Sequence, residues 1–150
     1  MTADEGLQTH SFRVYGDPAP QSGMRAVGPP GAMRLITTGG KDLEQWRRAI
    51  ATEAEVARVN GSTHRGPVAV YVDFRYQMPS NRKAAQRRAE SIPRMVQPDL
   101  DKLVRAVFDS LKVGGLILDD GQIAEIHASK SEYSDSWTGA EVSVRDLWTP

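Results

Sequence analysis

Residues 98–121 read PDLDKLVRAVFDSLKVGGLILDDG, and this stretch organises the rest of the chain. Its apolar residues recur every three or four positions, which places one stripe on a helix: Leu100, Leu103, Val104, Val107, Phe108 and Leu111. Pro98 suits a helix start because its missing N–H needs no intrahelical partner there. Gly114-Gly115 ends the helix, since glycine adopts positive φ at low cost. The stretch therefore predicts an amphipathic helix, a short buried strand at 116–118 and a turn at 119–121.

Four aspartates flank this helix, two on each side of it. If Asp99 and Asp101 both lay inside the helix, about 100° per residue would point them about 200° apart, so they converge only if Asp99 lies at or before the N-cap. A strand packed back beside the helix would bring Asp119 or Asp120 to the same end, and only one of these neighbours would join, because adjacent strand residues face opposite sides. Each pair also has a simpler interpretation, as a helix cap or as a turn.

Three carboxylates gathered in one place repel each other, and a hard divalent cation removes that conflict. Mg²⁺ prefers oxygen ligands and often bridges protein carboxylates to a phosphate. The pattern therefore predicts metal-assisted phosphate chemistry. Asp109 lies about 12 Å beyond Asp101 along the helix axis, too far to share the ion, so we expect it to pair with Arg105.

The motifs Pro98-Asp99-Leu100-Asp101-Lys102-Leu103, Ala106-Val107-Phe108-Asp109-Ser110-Leu111 and Asp119-Asp120-Gly121-Gln122-Ile123, in this order and spacing, resemble the RusA family of Holliday junction resolvases. The close match covers about residues 98–130. The resemblance implies an intertwined homodimer of α/β fold. It also implies Mg²⁺-dependent cleavage of four-way DNA junctions by paired, symmetric nicks, with Mn²⁺ as a substitute metal.

Residue by residue, the resemblance places the metal-binding carboxylates on Asp99, Asp101 and Asp120 and leaves the role of Asp119 open. The family's lysine, one turn after the D-x-D, falls on Arg105. Arginine stays protonated, so this position offers only positive charge and hydrogen-bond donors to a phosphate. Lys102 stands where the family often has asparagine, and it is either a phosphate contact or a solvated helix residue.

Residues 79–97 carry most of the segregated positive charge: Arg82, Lys83, Arg87, Arg88 and Arg94, against Glu90 alone. The segment has few large apolar residues and several prolines, so we expect an exposed, mobile loop. Such a loop either holds DNA phosphates beside the acidic site or is a solvated linker. Lys130, on a predicted strand after the site, is expected to reach a phosphate.

The composition limits the class of protein. With 150 residues, 39% of them hydrophobic and 25% charged, one globular domain spanning residues 1–150 is expected. Absence of cysteine excludes disulfides and thiolate metal sites. No apolar run is long enough to span a membrane, and the polar N-terminus is unlike a signal peptide. We therefore expect a cytoplasmic protein with no membrane partner. The resemblance to the RusA family implies a bacterial or phage-encoded protein with no small-molecule cofactor. Equal numbers of basic and acidic residues, 19 of each, argue against indiscriminate DNA binding.

The remaining pattern predicts a single mixed-sheet α/β (α+β) domain with two main helices. A disordered tail at 1–9 and a loop at 16–31 are expected, with a second helix at 41–59. Strands are predicted at 10–15, 35–37, 67–78, 122–133 and 140–147. His10, His64 and His127 have no partner at metal-ligand spacing, so they are assigned no chemistry.

These patterns favour two functions. The first is a Mg²⁺-dependent endonuclease in which Asp99, Asp101, Asp120 and Arg105 are catalytic. The second is an architectural protein that binds DNA junctions with weak or no nuclease activity. A D-x-D phosphatase is less suitable, because Val96-Gln97-Pro98 is not the buried strand that such an enzyme needs.

Overall fold

A five-stranded mixed sheet carries the two long helices on one face. The structure is a computed structural model that describes residues 6–21, 24–37 and 40–149. The elements are β1 (Thr9–Tyr15), β2 (Met24–Val27), β3 (Arg34–Thr37), α1 (Gly40–Val59), β4 (Val68–Gln77), α2 (Ala84–Arg88), β5 (Ser91–Pro93), α3 (Leu100–Val113), a 3₁₀ turn (Asp120–Gln122), β6 (Ile123–Tyr133) and β7 (Gly139–Asp146).

The strand order is β1-β7-β4-β6-β5, and β2 and β3 form a separate hairpin. β4 pairs antiparallel with β7 and parallel with β6. A parallel pair needs a long crossover, and the crossover from β4 to β6 contains α2, β5 and α3. This topology brings β5 onto the outer edge of β6, where the two strands pair antiparallel.

The core lies between the sheet and the two long helices. β4 alternates as predicted, because Val68, Val70, Val72 and Phe74 are buried in the core that also takes the apolar stripe of α3. Asp73 faces the other side of the sheet, where it accepts a hydrogen bond from the Ser129 hydroxyl at 2.8 Å.

The predicted α+β domain is confirmed. Among the described residues, no helix has the length and apolar character that a membrane crossing requires.

Three sequence-based boundaries need correction. Residues 116–118 do not form a strand, because only Ile117 makes a bridge, to His64, and Leu118 is exposed. β2 lies inside the predicted loop at 16–31. Thr9 belongs to β1, and Gln8 accepts a hydrogen bond from the Asp146 amide, so the fold begins inside the predicted tail. Residues 1–5 of that tail lie outside the described residues.

Candidate functional site

The helix α3 starts on two aspartates, Asp99 and Asp101. Asp99 is the N-cap residue, with extended backbone (φ −68°, ψ 140°), and its carbonyl accepts a hydrogen bond from the Leu103 amide at 3.2 Å. Its side chain accepts no capping hydrogen bond. Asp101 is exposed in the first turn. The predicted position of Asp99 at the cap is confirmed, and the simple capping interpretation of its carboxylate is not. We call Asp99 and Asp101 the acidic entrance.

Lys130 fixes the chain immediately before the acidic entrance. Its ammonium group donates to the carbonyl of Val96 at 2.9 Å and to the carbonyl of Pro98 at 2.8 Å. These bonds use two of the three donors of the ammonium group. Lys130 therefore holds the backbone that leads into Asp99, and its contact with a phosphate stays a prediction.

The second pair of aspartates lies in the acidic turn, residues 119–122. Asp119 accepts a hydrogen bond from the Gly121 amide at 3.0 Å, and Lys112 lies 3.5 Å from its other carboxylate oxygen. These contacts, the Gly121 amide first, lower the pKa of Asp119 below its usual range. Asp120 is exposed, and within the described chain its carboxylate makes no hydrogen bond or ion pair. Asp119 thus shapes the turn, while Asp120 keeps its oxygens available.

The acidic entrance and the acidic turn lie at opposite ends of α3. Lys112, which contacts Asp119, is eleven residues beyond Asp101, about 16 Å along the helix axis. β6 gives a second measure: Lys130, beside Pro98, is seven residues beyond Ile123, about 23 Å along a strand. The expected meeting of the two pairs at one end of the helix within one chain is therefore wrong.

The path of the backbone explains this separation. The chain after α3 stays at the C-terminal end of the helix, and only residues late in β6 return to its N-terminal end. In agreement, the described ranges contain no group of three or more carboxylate or histidine side chains that could hold a metal ion. The assignment of metal ligands to these aspartates stays a prediction.

Arg105 stands one turn after Asp101 and is exposed. Its expected partner Asp109 instead accepts a hydrogen bond from the side-chain amide of Gln21, which is nearly buried. The Gln21 backbone amide also donates to the carbonyl of Lys102 at 3.0 Å, so the loop after β1 is tied to α3. No salt bridge to Arg105 is present in the described ranges. Arg105 is thus a cation on the same side of α3 as Asp101.

The basic segment, residues 79–97, divides into two groups of charges. Arg82 donates two hydrogen bonds to Glu132, at 2.8 and 2.9 Å, and Arg94 donates a third at 3.0 Å. The Glu132 side chain is only 1% exposed, and the arginines, Arg82 first, hold its pKa below the usual range. Arg94 also lies over the Tyr76 ring, 4.2 Å from its centroid. Arg82 and Arg94, both predicted to bind DNA, are therefore built into the fold.

The other cations of the basic segment remain exposed: Lys83, Arg87 and Arg88. They lie in or next to α2, which the sequence pattern did not predict. β5 is likewise part of the predicted loop, and pairs with the edge of β6. Lys102, another predicted DNA contact, is half-exposed with its ammonium 3.6 Å from Asp99.

A buried polar cluster near the acidic turn was not predicted from the sequence. His64 is fully buried, with Nδ1 2.6 Å from an Asp146 carboxylate oxygen and Nε2 2.8 Å from His10 Nδ1. Burial, followed by the proximity of His64, lowers the pKa of His10. These residues are far apart along the chain, so no local spacing indicates their contact.

Gln122 connects this cluster to the acidic turn. Its side-chain amide donates to the carbonyls of His64 and Gly66, at 2.8 and 3.0 Å. The only sequence signal for Gln122 is its place in the motif that follows Asp119-Asp120.

Comparison with known families gives one match across most of the chain. A family model described as Endodeoxyribonuclease RusA matches residues 17–145 of the 150 residues. The matched range runs from the loop after β1 into β7, and so contains both pairs of aspartates and the basic segment. The comparison with curated proteins gives no match.

Proposed function

The chain belongs to the endodeoxyribonuclease RusA family, and from this premise we propose that it is a Mg²⁺-dependent endonuclease that resolves four-way DNA junctions. The family implies nuclease activity on Holliday junctions. The metal, the paired symmetric nicks and the homodimer are our proposals for this chain. The observation that carries the proposal is that Asp99 lies at the N-cap of α3 while its carboxylate makes no capping bond.

The available side chains fit a hard cation. The carboxylates of Asp99, Asp101 and Asp120 would hold Mg²⁺, because this ion takes oxygen ligands, and Mn²⁺ could replace it. Bound there, the ion would activate a water molecule and offset charge on the scissile phosphate. Arg105 would place a permanent positive charge near that phosphate. We assign Asp119 to shaping the turn, since its carboxylate is already hydrogen-bonded.

A second copy of the chain would complete the site. Asp120 and the acidic entrance lie at opposite ends of α3, so one chain cannot bring them together. A two-fold dimer with antiparallel α3 helices would place Asp120 of each copy beside Asp99 and Asp101 of the other. The same symmetry produces two identical sites, as two symmetric nicks require. The exposed cations at α2 would hold the DNA backbone, while Arg82 and Arg94 would support the fold.

Mixing two inactive variants tests this arrangement. Asp101→Asn and Asp120→Asn would each remove junction cleavage when assayed alone. After unfolding and refolding together, a mixed dimer would contain one site without either substitution and one site with both. Random pairing would restore about a quarter of the parental sites, and their products on a labelled four-way junction would be single nicks. The measurement is strand cleavage in Mg²⁺, beside a linear duplex and an EDTA control.

The controls separate the alternatives. A mixture of Asp101→Asn with the double variant Asp101→Asn/Asp120→Asn contains no intact site and should stay inactive. Recovery in neither mixture, with an active parent, would mean that each chain holds its own complete site. A parent that binds junctions but nicks none in Mg²⁺ or Mn²⁺ would instead be an architectural DNA-binding protein.

A further inference from the structure

Gln122 uses all the hydrogen-bonding capacity of its side chain. Its oxygen accepts from the backbone amides of Leu118 and Asp119, at 2.6 and 3.0 Å. Its amide nitrogen donates to the carbonyls of His64 and Gly66, at 2.8 and 3.0 Å. The side chain therefore joins the acidic turn to a loop more than fifty residues earlier in the chain.

The loop that Gln122 holds is itself firmly fixed. The Thr63 hydroxyl donates to the carbonyl of Gly115 at 2.8 Å, and the His64 amide donates to that of Leu116 at 2.9 Å. The buried His64 ring is held by Asp146 and by His10. The acidic turn is thus attached to a loop whose anchor lies in the interior of the domain.

The acidic turn has little packing of its own. Residues 118–121 are all exposed, so hydrogen bonds rather than buried apolar surface determine where the turn lies. Asp119 closes the turn through the Gly121 amide, a bond that is internal to the turn, and its contact with α3 is an exposed 3.5 Å ion pair with Lys112, of a kind that contributes little in water. The bonds of the Gln122 amide nitrogen instead connect the turn to the domain.

We infer that Gln122 is the positioning residue of the metal-binding turn, because it fixes Asp120 relative to the loop at His64–Gly66. This inference rests on the proposed function for the role of Asp120 as a ligand. Its attachment of the turn is independent of that role. A simpler interpretation is that Gln122 only caps the 3₁₀ turn, which would need its oxygen alone. The two interpretations therefore differ in whether the hydrogen bonds of the amide nitrogen are needed to position Asp120.

Two substitutions separate the two halves of the side chain. Gln122→Glu keeps an oxygen for the Leu118 and Asp119 amides, but turns a second oxygen toward the carbonyls of His64 and Gly66. Gln122→Ala removes both halves. Ile50→Val, on the buried face of α1, is the control for general loss of stability.

Three measurements apply to each variant: hydrogen exchange of the Leu118 and Asp119 amides without metal, Mn²⁺ affinity by electron paramagnetic resonance, and junction affinity in EDTA. We expect both Gln122 variants to bind Mn²⁺ about tenfold more weakly, with junction affinity in EDTA unchanged. Amide protection should be lost in Gln122→Ala and largely kept in Gln122→Glu. Ile50→Val should lower the melting temperature without weakening Mn²⁺ binding.

Two results would overturn the inference. One is unchanged Mn²⁺ affinity in Gln122→Glu, which would leave Gln122 as a cap only. The other is equally fast exchange of the Leu118 and Asp119 amides in the parent and in Gln122→Ala. If the parent neither binds Mn²⁺ nor cleaves junctions, the proposed function fails, and the exchange data still show whether the Gln122 oxygen orders the acidic turn.

Discussion

The acidic entrance and the basic segment are adjacent in sequence, and they treat their charges in opposite ways. At the start of α3, the Asp99 carboxylate makes no capping hydrogen bond and Asp101 is exposed. In the basic segment, Arg82 and Arg94 donate three hydrogen bonds to a buried carboxylate, Glu132. One region leaves charge available at the surface, whereas the other uses it inside the domain.

The difference shows that a cluster of like charges in the sequence does not reveal whether those charges bind DNA or another residue of the same domain. An exposed cation can release counterions from DNA and so contribute binding affinity. An arginine bound to a buried carboxylate mainly avoids the free-energy cost of leaving that carboxylate buried without a partner. The two regions should therefore respond differently to substitution, one in function and the other in stability.

The largest contrast is expected between Asp101→Asn and Glu132→Ala. Asp101→Asn should slow junction cleavage about 1,000-fold, equivalent to about 4 kcal/mol of transition-state stabilisation. Because Asp101 is exposed, the free energy of unfolding of the Asp101→Asn variant should differ from that of the parent by no more than about 0.5 kcal/mol. Glu132→Ala should lower the free energy of unfolding by about 3 kcal/mol, since it leaves two partly buried arginines without their carboxylate.

Urea unfolding and single-turnover cleavage at a temperature well below unfolding would measure both effects. Arg82 and Arg94 side chains are 26% and 16% exposed, so water can relieve part of the loss in Glu132→Ala. Equal stability of Glu132→Ala and the parent would show that this carboxylate does not anchor the basic segment.

A smaller effect is expected at the exposed cations. Lys83→Ala with Arg88→Ala should weaken junction binding and reduce the slope of log affinity against log salt concentration by about 2. The matched control is Arg13→Ala with Arg145→Ala, two cations on β1 and β7, which lie toward the opposite edge of the sheet from β5, the strand that follows α2. Salt titrations in EDTA measure binding without cleavage, and an equal loss of slope in both double variants would contradict the assignment of DNA contacts to α2.

The smallest effect concerns acid stability. The arginines hold the pKa of Glu132 below its usual value of 4.5, so the unfolded chain takes up this proton more readily. The stabilisation is therefore complete above about pH 4.5 and is lost as the pH falls through the lower pKa of the folded state. The difference in melting temperature between the parent and Glu132→Gln should be constant from pH 7 to pH 5 and narrow in more acid buffers. A difference that widens in acid would contradict the sign.

The sequence pattern was sufficient for the elements that have a strong local period. α3 follows from one apolar stripe and the glycines after it, and β4 follows from the alternation of Val68, Val70, Val72 and Phe74. β5 is only three residues long, and no period can be read from so short a strand. β2 escaped prediction because glycine and proline dominate the residues around it.

The site residues were predicted individually, whereas their arrangement was not. The position of Asp99 at the cap could be predicted because Pro98 and the apolar stripe fix the start of the helix. The location of Asp120 depends on the path after Gly115, which no local pattern encodes. The partners of Arg82 and His64 are fifty or more residues away in sequence, and such contacts become visible only when the sheet order is known.

The distance between the two acidic ends of α3 has a consequence for how the activity would be controlled. Under the proposed pairing, a monomer holds only part of each site, so a newly made chain would be harmless to DNA. Below the dissociation constant of the dimer, the rate would rise with the square of the chain concentration. A nuclease of this kind would be limited by its own abundance, without an inhibitor.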